Sequence, residues 1–176
     1  MLIHRAGEVR MPKSIVTIGA FDGVHRGHQA LMREIVQRGR LLNIPTVVYT
    51  FDPPPRAYFQ NAHMLSSIHE KVRRLQALGL DHCIVAKFNE KYLKQTACQF
   101  MDELQQLNPV EIVVGKDFRF GKDRSGDVTL LKECFKVRII EPIICSNGKV
   151  ISSTRIRELV SRGENRQAFS LLGWPV

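Results

Sequence analysis

The sequence predicts an α/β protein built on a parallel sheet with helices on both faces. Three observations carry this. Short apolar runs rich in Val, Ile and Thr alternate along the chain with segments of helical periodicity. The runs are apolar throughout, as strands buried on both faces are. Loops marked by Gly, Pro and Asp follow them, where strand must turn into helix.

The elements read in order as follows. Ile15 to Gly19 is a buried strand, followed by a turn and a helix over residues 26–42. Pro45 breaks that pattern, and Thr46 to Phe51 forms a second strand. Asp52-Pro53-Pro54-Pro55 continues as neither strand nor helix, because proline fixes φ and removes amide donors, so a fixed loop is expected. Ser67 to Leu78 fits a helix with Ser67 as N-cap, Glu70 at the capping-box spacing and Gly79 just past the end. His82 to Ala86 is a third strand, Thr96 to Leu107 a helix stopped by Asn108-Pro109, and Val110 to Val114 a fourth strand ending in Gly115. Residues 116–126 read as a basic, glycine-containing loop, Asp127 to Cys134 as a short helix, and Val137 to Ile144 as a strand. Asn147-Gly148 makes a tight turn between extended segments. Ser153 opens a helix carrying Ile156, Leu159 and Val160, and a last helix takes in Ala168 to Leu172. The crossovers should be right-handed, and ligands should sit at the carboxyl ends of the strands. Loops 20–25, 52–61 and 115–126 therefore converge at one edge.

Composition narrows the partners. The 176 residues suit one compact domain, and 44% are hydrophobic, enough for a sizeable core. Lys and Arg number 26 against 17 Asp and Glu, a net charge of +9 that favours anionic ligands. The basic residues are spread along the chain without a dense tail, which weakens a nucleic-acid reading and leaves phosphorylated small molecules. The four cysteines form no C-x-x-C pair and no zinc-finger spacing, so buried free thiols in a reducing compartment are expected. The N-terminus lacks the apolar core of a signal peptide, and no run approaches the ~20 apolar residues of a spanning helix. A cytoplasmic protein without membrane or nucleic-acid partners is expected. Nothing in the sequence sets its oligomeric state.

The densest chemical signal is Gly19-Ala20-Phe21-Asp22-Gly23-Val24-His25-Arg26-Gly27-His28, between a strand and a helix. Gly23 and Gly27 permit a tight turn and close approach of a ligand. The helix start offers unpaired N–H groups and a positive dipole end to a phosphate. His25 and His28, three apart, face one ligand from the first turn, where imidazole N–H groups meet charge building on phosphate oxygens. A zinc pair would need a third ligand, and none stands at a convincing spacing. The string is neither a Walker P-loop nor the G-x-G-x-x-G pattern.

H-x-G-H after a first strand is the signature of the nucleotidylyltransferase superfamily. The longer string Thr17 to His28 resembles the prokaryotic FAD synthetases, the FMN-adenylylating domains of bifunctional riboflavin kinase/FAD synthetase. Three further blocks resemble the same family in the same order: Thr50-Phe51-Asp52-Pro53-Pro54-Pro55-Arg56, Val113 to Lys122, and Ile151-Ser152-Ser153-Thr154-Arg155-Ile156-Arg157. The resemblance implies a Rossmann-like nucleotidylyltransferase fold and transfer of AMP from ATP to FMN, giving FAD and pyrophosphate, with Mg²⁺ accompanying ATP. It implies catalytic roles for His25, His28 and Arg155. Gly19, Phe21, Asp22, Gly23, Gly27, Gly115, Asp117, Ser153 and Thr154 would bind the nucleotide. Pro53, Arg56, Phe118 and Phe120 would bind the flavin. No protein ligand for the metal is implied. Read from the residues alone, Ser153 and Thr154 are equally an ordinary helix cap, Phe118 and Phe120 equally core aromatics, and the prolines equally a rigid turn.

Two positions depart from the family pattern: Ala20 stands where Asn is usual, and Pro54 where His is usual. The chain also stops about where the family's riboflavin kinase module would begin. Residues 1–176 are therefore expected to act as a single adenylyltransferase domain that does not phosphorylate riboflavin. Another phosphorylated acceptor, or a flavin-nucleotide binder that has lost catalysis, are the competing readings; a basic RNA-binding protein ranks last, with no RNA-recognition motif in view.

Overall fold

The computed structural model describes residues 1–60 and 63–174. Strand β1 (Leu2–Arg5) is followed by β2 (Ser14–Ile18), helix α1 (Arg26–Leu42), β3 (Thr46–Asp52), α2 (Pro55–Gln60), α3 (Ile68–Ala77), β4 (His82–Lys87) and α4 (Glu90–Leu93). Then come α5 (Ala97–Gln105), β5 (Pro109–Gly115), β6 (Arg119–Phe120), β7 (Gly126–Asp127), α6 (Val128–Cys134), β8 (Val137–Ile140), α7 (Ser153–Ser161) and α8 (Asn165–Leu172). Six strands form one sheet in the order β1-β4-β3-β2-β5-β8, and every neighbouring pair is parallel. The expected parallel α/β sheet is present.

The burial of the central strands explains their composition. All five residues of β2 and six of seven in β3 are buried. Alternate side chains enter opposite layers, as strand geometry requires. Val16, Ile18, Val47 and Tyr49 pack with Phe100 and Leu104 of α5 and Leu131 of α6. Ile15, Val48 and Cys83 pack with Met32 and Ile35 of α1 and Leu75 of α3. A third cluster joins Ile156 and Leu159 of α7 to Ala168, Leu171 and Leu172 of α8. Polar groups inside the sheet are paired: Thr17 Oγ1 donates to Val113 O at 2.9 Å and Tyr49 Oη to Glu103 Oε1 at 2.8 Å.

Strand order turns back at β2. From there the chain steps outward to β3 and β4 on one side, and later to β5 and β8 on the other. Gly19 and Gly115 lie two residues beyond the Thr17–Val113 pair of the β2–β5 register, so both loops leave the sheet at the same edge.

Several local expectations need correction. β1, an exposed edge strand, carries too weak an apolar pattern to read beforehand. A short helix, α2, begins at Pro55 inside the expected fixed loop; proline at a first helical turn loses no hydrogen bond. Asn89 caps the unexpected α4 by accepting from Tyr92 N at 3.0 Å. A two-stranded antiparallel ribbon, β6–β7, interrupts the 116–126 loop. β8 stops at Ile140, and residues 141–144 are exposed, with an isolated antiparallel bridge from Ile144 to Val150 around the Asn147-Gly148 turn. Of the four thiols Cys83 is buried, but Cys98 and Cys134 are exposed because they fall on the outer faces of their helices. Among the described residues no helix is long and apolar enough to cross a membrane.

The capping box on α3 is formed in both directions: Glu70 N donates to Ser67 Oγ at 3.2 Å, and Ser67 N donates to Glu70 Oε2 at 3.0 Å. Ser67→Ala should cost about 1 kcal/mol of stability, read as a lower urea midpoint at unchanged slope.

Candidate active site

The turn after β2 is built from unusual backbone. Phe21 (φ 46), Gly23 (φ 77) and Val24 (φ 43) are all left-handed, which is rare for a β-branched residue. Such conformations persist where surrounding contacts over-determine them. The contacts here are specific. Gly23 N donates to Ser66 Oγ at 3.0 Å, and Arg74 Nη1 donates to Gly23 O at 3.1 Å. The Val24 carbonyl accepts from Gln29 Nε2 at 2.9 Å and Trp174 Nε1 at 2.8 Å. Gly19 is required by its neighbour, since a Cβ there would lie 2.8 Å from the ring of Phe21. At Gly27 a Cβ would stand 3.2 Å from the His25 ring and 3.5 Å from Ile151 O, so its absence lets the late segment approach the first turn of α1.

His25 and His28 stack face to face, with ring centroids 3.5 Å apart, and Phe21 meets His28 edge-on at 5.1 Å. His25 is the N-cap of α1, and its Nδ1 accepts from His28 N at 3.3 Å. Nδ1 therefore carries a lone pair and the proton of the neutral ring sits on Nε2. Burial pushes the His25 imidazole down to about 4. His28 is also held well below the usual range, by burial first, then by His25 and the ammonium of Lys71. Two neutral imidazoles thus stand at a helix N-terminus. His28 Nδ1 is buried without a hydrogen-bond partner, a cost a protein bears where a ligand completes the bond.

Asp22 joins the turn to the late helix. Its carboxylate is 2% exposed, accepts from Arg157 Nη2 at 2.6 Å, and accepts from Leu65 N at 3.1 and 3.2 Å. Its carbonyl accepts from Ser153 Oγ at 3.1 Å. Arg157 Nε further donates to His63 O at 2.9 Å. Thr154 Oγ1 accepts from Arg56 of α2. Residues 19–28, 56, 63–66 and 151–157 therefore meet at one end of the sheet, beside the strand-order switch.

The remaining residues singled out by sequence are placed as follows. Pro53 follows β3 and is half-buried. Gly115 and Asp117 are exposed at the end of β5. Phe118 and Phe120 stack at 5.5 Å; Phe120 is buried against Phe100, and Phe118 is half-exposed. Arg155 is occupied elsewhere than the histidine pair: its Nη1 lies 3.0 Å from Cys145 Sγ and 3.4 Å from the carbonyls of Lys149 and Val150. That guanidinium holds the Cys145 thiol down at about 7. Among the described residues no group of three or more His, Cys, Asp or Glu is arranged to hold a metal ion.

Sequence reasoning missed Arg157, Ser66, Lys71 and Arg74. Arg157 lay in the quoted ISSTRIR block, but nothing in a lone sequence paired it with Asp22. Lys71 carried a legible signal: it sits four residues before buried Leu75, on the apolar face of α3.

Comparison with known proteins follows the same outline. Residues 8–155 match the family model described as FAD synthetase. The chain is 51% identical over 177 residues to a Geobacillus thermodenitrificans protein that carries the provisional name of bifunctional riboflavin kinase/FMN adenylyltransferase, covering 100% of this chain and 99% of that one. It is 34% identical to the bifunctional riboflavin kinase/FMN adenylyltransferase of Escherichia coli K12, covering 98% of this chain and 58% of that protein. Among solved structures, a Streptococcus pneumoniae protein described as a macrolide-efflux protein superposes with a TM-score of 0.85 and 29% identity, over 99% of this chain and 71% of that one.

Two outcomes follow from the geometry. Asp22→Ala leaves Arg157 and Leu65 N without their acceptor and should cost about 3 kcal/mol in urea unfolding. Between pH 6.5 and 4 an unfolded His25 takes up a proton that the native ring refuses, so stability falls as pH drops through this window. At about 1.4 kcal/mol per pH unit, the loss reaches roughly 3 kcal/mol near pH 4. In His25→Gln that part of the slope should vanish.

Proposed function

We propose that this chain, which belongs to the FAD synthetase family, joins the AMP portion of ATP to FMN, giving FAD and pyrophosphate. The observation that carries the site assignment is the stacked pair His25–His28 at the start of α1, with one ring nitrogen of His28 buried and unpartnered. A triphosphate oxygen is the acceptor this arrangement lacks.

The chemistry needs alignment and charge stabilisation more than proton transfer. The FMN phosphate is already anionic near neutral pH, so its oxygen attacks the α-phosphorus of ATP without a general base. A new P–O bond forms as the bond from the α-phosphorus to the pyrophosphate oxygen breaks, and no covalent enzyme intermediate arises. The N–H groups of Arg26 and Gly27, ahead of the capped His28 amide, and the N–H of each neutral imidazole stabilise the charge spreading over the equatorial oxygens. In-line geometry supplies the rest. Neutral rings suit this role, because they donate hydrogen bonds without the desolvation cost of burying two adjacent cations.

The other assignments follow from position. Gly19, Phe21, Gly23 and Gly27 shape the nucleotide side, with Asp117 and Gly115 facing it from the end of β5. Ser153 and Thr154 open α7 as a further phosphate contact. Asp22 acts by positioning, since its carboxylate is committed to Arg157 and Leu65. Arg155 reaches phosphate only by leaving the Cys145 hairpin. Pro53, Arg56 and half-exposed Phe118 take the flavin side, whereas Phe120 is committed to the core against Phe100. Magnesium would arrive as part of Mg·ATP, held by substrate oxygens, and would supply charge neutralisation for the pyrophosphate group.

Ala20 and Pro54 favour a second reading, a flavin-nucleotide binder without turnover, because neither side chain offers a donor to a phosphate. Chromatography of the flavins after incubation with Mg·ATP and either FMN or riboflavin separates the readings. FAD from FMN, and none from riboflavin, is the expected result; tight FMN binding without FAD would replace it with the second reading. His28→Ala should lower turnover by about 10²–10³ while costing about 1 kcal/mol of stability. Equal fractional losses of folded protein and activity would remove His28 from catalysis.

A further inference from the structure

Lys71 occupies a position where the helix pattern asks for an apolar residue. It lies on the inner face of α3, one turn before Leu75, and is 1% exposed. An apolar side chain of similar length would cover the same surface without the cost of desolvating an ammonium. The ammonium is fully coordinated by neutral acceptors. Nζ donates to Ala20 O at 2.9 Å, to Phe51 O at 2.9 Å and to Thr50 Oγ1 at 3.4 Å. Thr50 Oγ1 in turn donates to Ala20 O at 3.1 Å. Among the described residues no carboxylate lies within ion-pair distance of it.

What Lys71 joins is informative. Ala20 is the residue between Gly19 and left-handed Phe21, at the root of the turn that presents His25 and His28. Phe51 is the penultimate residue of β3, two before Pro53 and the loop assigned to the acceptor. One cation thus joins the root of the turn after β2 to the end of β3, the two segments from which the nucleotide side and the acceptor side depart. Any error in the spacing of these strand ends moves the two reacting phosphates relative to each other, and a misplacement of about 1 Å costs on the order of 10²-fold in rate.

We propose that Lys71 is a positioning residue for nucleotidyl transfer: its ammonium fixes the end of β2 against the end of β3, so that the His25–His28 turn and the Pro53 loop hold their substrates in line. The inference rests on the adenylyltransferase reading above. Each substrate is bound by its own half of the site, so the clamp acts on alignment and leaves binding of either substrate alone largely intact.

The test measures turnover per nucleotide-binding site. Wild-type protein must first form FAD from FMN and Mg·ATP; if it forms none, the adenylyltransferase reading fails rather than the clamp. In Lys71→Met, calorimetric titration with Mg·ATP counts competent sites. The expected result is an ATP affinity within a few-fold of wild type and a kcat per competent site lowered by about 100-fold. A purely structural lysine would reduce the number of sites and leave kcat per site unchanged, and a value within about threefold of wild type overturns the proposal. Should Lys71→Met not fold, Thr50→Val decides. It removes the hydroxyl that bridges Lys71 and Ala20 while keeping shape, and should lower kcat per site by about tenfold at unchanged ATP stoichiometry. Unaltered turnover per site in that variant overturns the proposal equally.

Discussion

The Asp22–Arg157 ion pair ties together parts of the chain that otherwise share little. Asp22 lies in the left-handed turn after the first central strand, and Arg157 lies in the second turn of α7. The carboxylate also receives the amide of Leu65, and the Asp22 carbonyl receives Ser153. Because the carboxylate is buried, its acceptors' capacity must be filled from the protein, and each filled bond draws another segment to the same spot. The α7–α8 pair has its own apolar cluster, so this polar clasp has a large part in fixing where that pair sits against the sheet. The surrounding bonds at Gly23 and Val24 then hold the turn in a backbone conformation it would not adopt alone.

The site combines a basic chain with neutral chemistry. Net charge is +9, yet the N-cap of α1 and its third residue are uncharged imidazoles stacked at van der Waals distance. Three of the surrounding cations are already engaged: Arg157 with Asp22, Arg56 with Thr154, and Lys71 with the strand-end carbonyls. A general positive potential and fixed, uncharged N–H donors act at different ranges: the first favours any anion, the second only one placed in line with the donors.

Much of the sheet was legible because buried parallel strands write their environment into composition. Four consecutive apolar or Thr residues before Gly19, and six before Asp52, have few other uses. The capping boxes at Ser67 and Thr96 have a local cause and a local signature, so the starts of α3 and α5 could be read to the residue. Edge elements could not. Leu2–Arg5 pairs on one side only and carries exposed Leu2 and Ile3, which sequence reads as an irregular terminus. The H-x-G-H turn was visible through its glycines and histidines, but apart from Gln29 the partners that hold it come from 43 to 150 residues away. A single sequence cannot pair Asp22 with Arg157, nor tell that Arg155 rather than Arg157 turns to the Cys145 hairpin.

The separation of those partners has a consequence for how the protein is made. Ser153 and Arg157 reach back 131 and 135 residues to Asp22. Contacts of such separation carry a high loop-closure cost and form after the local ones. On the ribosome, β2 and α1, which flank the turn, are complete well before α7 exists. A nascent chain can therefore hold most of its sheet while the turn lacks the clasp that shapes it. The shape of the turn thus depends on residues made more than a hundred positions after it, so its left-handed backbone is a late product of folding rather than a local one.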